Sequence, residues 1–186
     1  NKVYNYRCLL IILNVACFTI SVRAADTLVT RNSTWKYLSN GSNQGTGWRA
    51  SSFNDASWPT GTAEFGYGDG DEATVINYGS NATNKYITYY FRKSFTITNT
   101  GAYTGMTLGI LRDDGAVVYI NGTERFRTNM PTGNIGYKTL ASTAISGTAE
   151  TTYNTVSLLP SYFTNGTNVI AVEVHQITKK IGRAHV

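Results

Sequence analysis

The residues able to do chemistry in this chain are few. A nucleophilic triad needs a histidine within hydrogen-bond reach of a nucleophile and an acid. Of the two histidines, His185 lies in an aberrant terminal stretch, so only His175 counts. It follows Glu173 by two residues, which on a strand puts both on one face. No Gly-x-Ser-x-Gly elbow and no His-rich metal set accompany them. His175 therefore reads as a packed or hydrogen-bonded residue at a strand end, or as a polar contact to a ligand.

Three carboxylates, Asp69, Asp71 and Glu72, crowd a Gly-rich turn. Such oxygens suit Ca²⁺, which takes six to eight of them. The spacing is not that of an EF-hand, because no bidentate Glu follows at the required distance, and a solvated turn explains the same residues. Asp113-Asp114 opens a hairpin, where Asx side chains bond nearby backbone N–H groups. The other chemistry on offer is sugar binding, which asks for aromatic faces beside polar groups in a shallow cleft. Thirteen tyrosines and three tryptophans supply the faces. Trp48, Trp58 and Tyr67 fall in loops, where binding residues concentrate. Arg127, Asn129 and His175 add polar contacts if their loops converge. Trp35 and Trp58 also suit packing at the ends of a sandwich.

These residues need a scaffold, and the pattern around them is that of strands. Thr34 to Leu38 is a short strand, followed by a polar loop over Asn40 to Gly47. Trp48 to Trp58 reads as a helical turn or irregular loop, and Gly61 to Gly70 is Gly-rich. Tyr86 to Thr98 is the longest strand, with Ile87, Tyr89, Phe91, Phe95 and Ile97 on one face. Lys93 interrupts that face, which calls for a bulge or for snorkelling at a sheet edge. Gly105 to Asp113 is a strand. Ala116, Val118 and Ile120 alternate in the next, which ends at Asn121-Gly122, a pair suited to a type I′ turn. Arg127 to Ala149 is a long polar connection. Thr152 to Leu158, a turn at Pro160 to Phe163, and the strand Thr167 to Gln176 complete the series. No long 3.6-residue period appears, so the chain is expected to be all-β, a sandwich or jelly roll.

Both ends depart from this composition. Residues 1–24 have the form of a secretory signal: Lys2 and Arg7, an apolar run from Cys8 to Ile20, then Val22-Arg23-Ala24. The run is too short to span a bilayer. Residues 181–186 match one reading frame of a common sequencing adapter, so the natural chain is expected to be interrupted near Thr178. The domain is then 26–178, with both cysteines, Cys8 and Cys17, outside it. The whole chain has 16 Lys+Arg against 11 Asp+Glu. Without Lys2, Arg7, Arg23 and Arg183 the balance is 12 against 11, and without Lys179 and Lys180 it is 10 against 11. That leaves no clustered basic stripe for nucleic acid. Asn32, Asn40, Asn81, Asn121 and Asn165 begin Asn-x-Ser/Thr sequons, which matter only in a eukaryotic secretory pathway.

The order of motifs resembles a known family. Tyr90-Phe91-Arg92-Lys93-Ser94-Phe95 is followed by an Asp113-Asp114-Gly115 hairpin with its Asn121-Gly122 turn. Then comes Gly166-Thr167-Asn168-Val169-Ile170-Ala171-Val172-Glu173-Val174-His175-Gln176. Over Thr34 to Gln176 this is similar to the galactose-binding-like modules of secreted bacterial multidomain proteins, and to the sugar-binding domain of β-galactosidase-type glycosidases. The resemblance implies a jelly roll with one further strand after His175-Gln176. It implies a non-catalytic module that binds a glycan or cell-surface polymer, often with a structural Ca²⁺. The other role it implies is a spacer bracing a secreted hydrolase such as a metallophosphoesterase. Neighbouring domains of the same chain are the expected partners, outside the cell or on its surface.

Overall fold

The computed structural model describes residues 26–68 and 70–178. The expected signal (1–24), the adapter-like stretch (181–186) and Asp69 lie outside the described residues.

The described residues form ten strands and four single 3₁₀ turns. Six strands form one antiparallel sheet in the order β2 (Thr60–Thr62), β1 (Thr34–Leu38), β5 (Thr88–Ile97), β10 (Gly166–His175), β7 (Gly115–Ile120) and β8 (Thr123–Thr128). Against its inner face lie two pairs. β6 (Met106–Ile110) runs antiparallel to β9 (Asn154–Leu158), and the short β3 (Phe65–Gly66) runs parallel to β4 (Thr74–Val75). The chain is an all-β sandwich.

Period-two patterning builds the core. Tyr89 and Phe91 of β5, Val118 and Ile120 of β7, and Val172 and Val174 of β10 all point inward, each at most 3% exposed. They meet Phe65, Ile76, Ile110 and Leu158 from the facing pairs. The sheet's other face is also buried. Trp48, Trp58, Met130 and Ala141, from the 40–59 and 129–145 connections, cover Tyr90, Val117, Tyr119 and Ala171. This second core explains why β7 and β10 read as continuous apolar runs: both faces are covered.

The Asn121-Gly122 turn forms as the sequence requires, with φ of 50° and 87°, which suits the mirror-image turn that glycine tolerates best. The returning strand carries a bulge. Val118 faces Phe126, while the next pair is Tyr119 with Glu124, leaving Arg125 extra. Arg125 turns its guanidinium onto the Tyr162 ring, 3.8 Å from the centroid. Lys93 needs no bulge, since the β5–β10 ladder continues through Lys93↔Ile170. Its ammonium donates to the Thr34 carbonyl at 2.8 Å on the neighbouring strand.

Candidate functional site

The aromatic residues expected to face solvent do not. Trp48 is wholly buried and Trp58 is 5% exposed. Trp48 stacks against Trp58 at 6.4 Å and meets Tyr90 edge-on at 4.8 Å. The reason is the second core: a single sheet face needs a cover, and a loop carrying two tryptophans supplies it. Arg92, on the same face, is pulled into the loop. It donates to Asp55 Oδ2 at 2.8 Å, to the carbonyl of Trp48, and to that of Ala50 at 3.1 Å. A fixed fork of donors suits this task, because several loop carbonyls converge on it.

His175 is fully buried. Its Nδ1 stands 2.7 Å from the Thr139 carbonyl and 3.1 Å from Thr88 Oγ1, and its Nε2 is 3.2 Å from Glu173 Oε2. Glu173 also accepts from Tyr119 Oη at 2.6 Å and from Arg49 Nη2 at 3.0 Å. Burial alone pushes the Glu173 carboxyl up. His175, the Tyr119 hydroxyl and Arg49 outweigh that and hold it below the usual carboxylate range. Burial, together with the same carboxylate, drives the Tyr119 hydroxyl well above the ordinary tyrosine range. The network faces inward beneath the 129–145 connection, where it ties strands β7 and β10 to that cover.

Arg127 and Asn129 are occupied in the same way. Arg127 makes a two-pronged pair with Glu124, both contacts at 2.8 Å, and its third nitrogen donates to the carbonyls of Pro131 and Gly133. Asn129, at φ 52°, donates to the carbonyls of Asp114 and Thr143 at 3.0 and 2.7 Å. Asp114 is structural, but not through a local turn. Its carboxylate accepts the backbone N–H of Ile145 at 2.8 Å and of Ile177 at 2.7 Å, from two distant segments.

Of the three carboxylates expected for Ca²⁺, Asp71 is exposed, and Glu72 accepts the N–H of Gly70 at 2.9 Å. Among the described residues no three His, Cys, Asp or Glu side chains cluster as a metal set.

One end of the sandwich gathers a different group. Tyr67 is 3% exposed, and its ring meets that of Tyr78 at 5.0 Å. The Lys85 ammonium lies over both, 4.7 and 5.1 Å from the centroids. The loop that carries them closes where Tyr86 N–H donates to the Tyr78 carbonyl at 3.0 Å. Tyr86 lays its ring against Gly41, where φ of +73° and the close approach both demand glycine. Tyr137 Oη donates to the Gly41 carbonyl, tying in a third loop. Burial pushes the Tyr67 hydroxyl up to about 12, against the lowering effect of the bond from Tyr89. Tyr78, Lys85, Tyr86 and Tyr137 are all half-buried, with part of each side chain open to solvent. Only Tyr67 of the expected set lies here. Tyr78 lies inside the polar loop Asn77 to Asn84 and Tyr86 follows just after it, and that pair of tyrosines is the signal sequence reading passed over.

No family model matches the chain, and no curated protein matches it. Solved structures do. A β-glucuronidase from glycoside hydrolase family 2 superposes with a TM-score of 0.48 and 20% identity, over 78% of this chain and 13% of that one. A calcium-binding mutant of Bacteroides uniformis β-glucuronidase 2 gives 0.49 and 16%, over 83% of this chain and 15% of that one. Bifidobacterium dentium β-glucuronidase, complexed with coumarin-3-O-glucuronide, gives 0.49 and 14%, over 82% and 21%. The chain thus spans about a fifth or less of the length of these proteins.

No helix among the described residues is long and apolar enough to cross a membrane.

Proposed function

We propose that this domain is a non-catalytic binding module of a secreted multidomain protein, and that it takes a carbohydrate or another cell-surface polymer. The supporting observation is the end of the sandwich where Tyr78, Lys85 and Tyr86 stand half-exposed among polar loops. Aromatic faces stack on the apolar faces of sugar rings, while the ammonium and neighbouring asparagines bond hydroxyls. Glu173 and His175, the one acid–imidazole pair among the described residues, are buried and committed to strand and loop contacts. The galactose-binding-like resemblance agrees with this reading.

Glycan-array binding by the domain, lost in Tyr78→Ala and Tyr86→Ala with the melting temperature held, is the expected result. Binding unchanged in both variants moves the site elsewhere, and turnover of a glycoside or phosphoester by the domain alone overturns the reading.

A second reading is a spacer that braces a hydrolase in the same chain. What favours it is the internal commitment of Arg127, Asn129 and His175, which leaves their polar atoms engaged within the domain. Absence of any glycan ligand, with a stabilising contact to a downstream domain, selects it.

A further inference from the structure

β8 ends the six-stranded sheet and β9 belongs to the facing pair, with no ladder between them. Two arginines bridge this seam. Arg112 reaches both sides of it: Nε donates to Thr128 Oγ1 at 3.4 Å and Nη2 to Asn154 Oδ1 at 3.3 Å. Arg125, the extra residue of the β8 bulge, lies on the Tyr162 ring just beyond the end of β9.

Neither guanidinium is compensated. Arg49, Arg92 and Arg127 each hold a carboxylate, whereas among the described residues Arg112 and Arg125 form no ion pair. Arg112 is only 7% exposed, and its Nη1 is buried with no partner. Its two bonds go to neutral oxygens and are longer than usual. Burial works against its charge, and Asp113 and Asp114 offset that only in part. Arg125 Nε is buried and unpartnered as well, while the rest of this half-buried head stays open. Stacking uses the face of a guanidinium and leaves its edge free to donate. A buried cation without a counter-ion is strongly unfavourable, so the seam is electrostatically incomplete.

Thr128, the partner of Arg112, stands three residues along β8 from Arg125, about 10 Å. That is about one screening length at 0.1 M salt, and buried charge is screened less. Both charges therefore act on one anion at the open edge of Arg125, which contacts it while Arg112 adds its field. The turn that carries Tyr162 also carries Leu159, 57% exposed. That apolar surface favours an oxyanion on an organic body over a bare ion.

We propose that the β8–β9 seam is a second binding site, for the oxyanion group of an organic acid, anchored on Arg125 and drawn by Arg112. It shares no residue with the tyrosine cluster and stands apart from the glycan reading.

The test titrates the full chain with 4-methylpentanoate, its neutral amide and inorganic phosphate, followed by NMR at low salt. The acid is expected to bind about tenfold or more tighter than the amide, and tighter than phosphate. Arg125→Gln weakens the acid by about tenfold or more, Arg112→Met weakens it less, and Tyr86→Ala leaves it unchanged. Without ligand, Arg112→Met holds or raises the melting temperature, because an unpaired buried charge is replaced by an apolar chain. Equal binding of acid and amide, or affinity kept in Arg125→Gln, overturns the site. Phosphate binding as tightly as the acid overturns the organic body. A fall of more than about 5 °C in Arg112→Met overturns its role as an uncompensated charge.

Discussion

The carboxylate of Asp114 accepts the backbone N–H of Ile177 at 2.7 Å, across 63 positions of sequence. Its other oxygen takes the N–H of Ile145 at 2.8 Å. One buried side chain thus fastens the 129–145 cover and the end of β10 to the hairpin. Asp114→Asn keeps the shape but replaces one acceptor with a donor that faces a donor. Charge-assisted bonds of this kind contribute about 1.5–3 kcal/mol each. Denaturant unfolding is expected to show a loss of about 2–4 kcal/mol, with the slope unchanged. A loss under about 0.5 kcal/mol, the range of ordinary surface substitutions, contradicts the assignment.

Arg92 holds the 48–55 loop through Asp55 and loop carbonyls, with its own side chain only 2% exposed. Lysine cannot reproduce that fork. Arg92→Lys is expected to cost about 3–5 kcal/mol, the range for breaking a buried pair. Asp55→Asn, at a side chain that is itself one-quarter exposed, costs less. The measurement is chemical denaturation of the two variants side by side, and equal losses count against the loop-clamp role.

Trp48 separates packing from binding. Trp48→Ala empties the centre of the second core and is expected to cost about 3–5 kcal/mol. Trp48→Phe costs less and leaves glycan binding intact below its melting temperature. Affinity lost in Trp48→Phe at full foldedness restores a direct role for this residue.

Much of the scaffold is legible in the sequence because period-two patterning sits in β5, β7 and β10. The turn at Asn121-Gly122 is legible for the same kind of reason, a local backbone requirement with few residues able to meet it. The short β2, β3 and β4 are not, since two or three residues in a Gly-rich stretch carry no period. Nor is the burial of Trp48 and Trp58. Loop position suggests exposure, whereas here the loop folds over a sheet face that only tertiary structure reveals as apolar. Arg127 and Asn129 look available for the same reason: the carbonyls that occupy them come from residues with no distinguishing side chains.

The Glu173 network predicts an acid limb in stability. Its carboxyl is held below the usual range in the folded state, so the unfolded chain binds a proton more readily. The stabilisation is complete above the unfolded value of about 4.3 and is lost as pH falls through the lower folded value. Glu173→Gln lowers the melting temperature at neutral pH, and the gap to the parent closes in acid. A gap constant from pH 7 to pH 3 contradicts the linkage.

The six-stranded sheet finishes at both sides in strands unfit for extension. β2 offers only three residues, and β8 is bulged and carries Glu124, Arg125 and Arg127. Backbone pairing with another molecule needs a long, flat, uncharged border. Copies crowded on one surface therefore gain little by pairing through either border of this sheet.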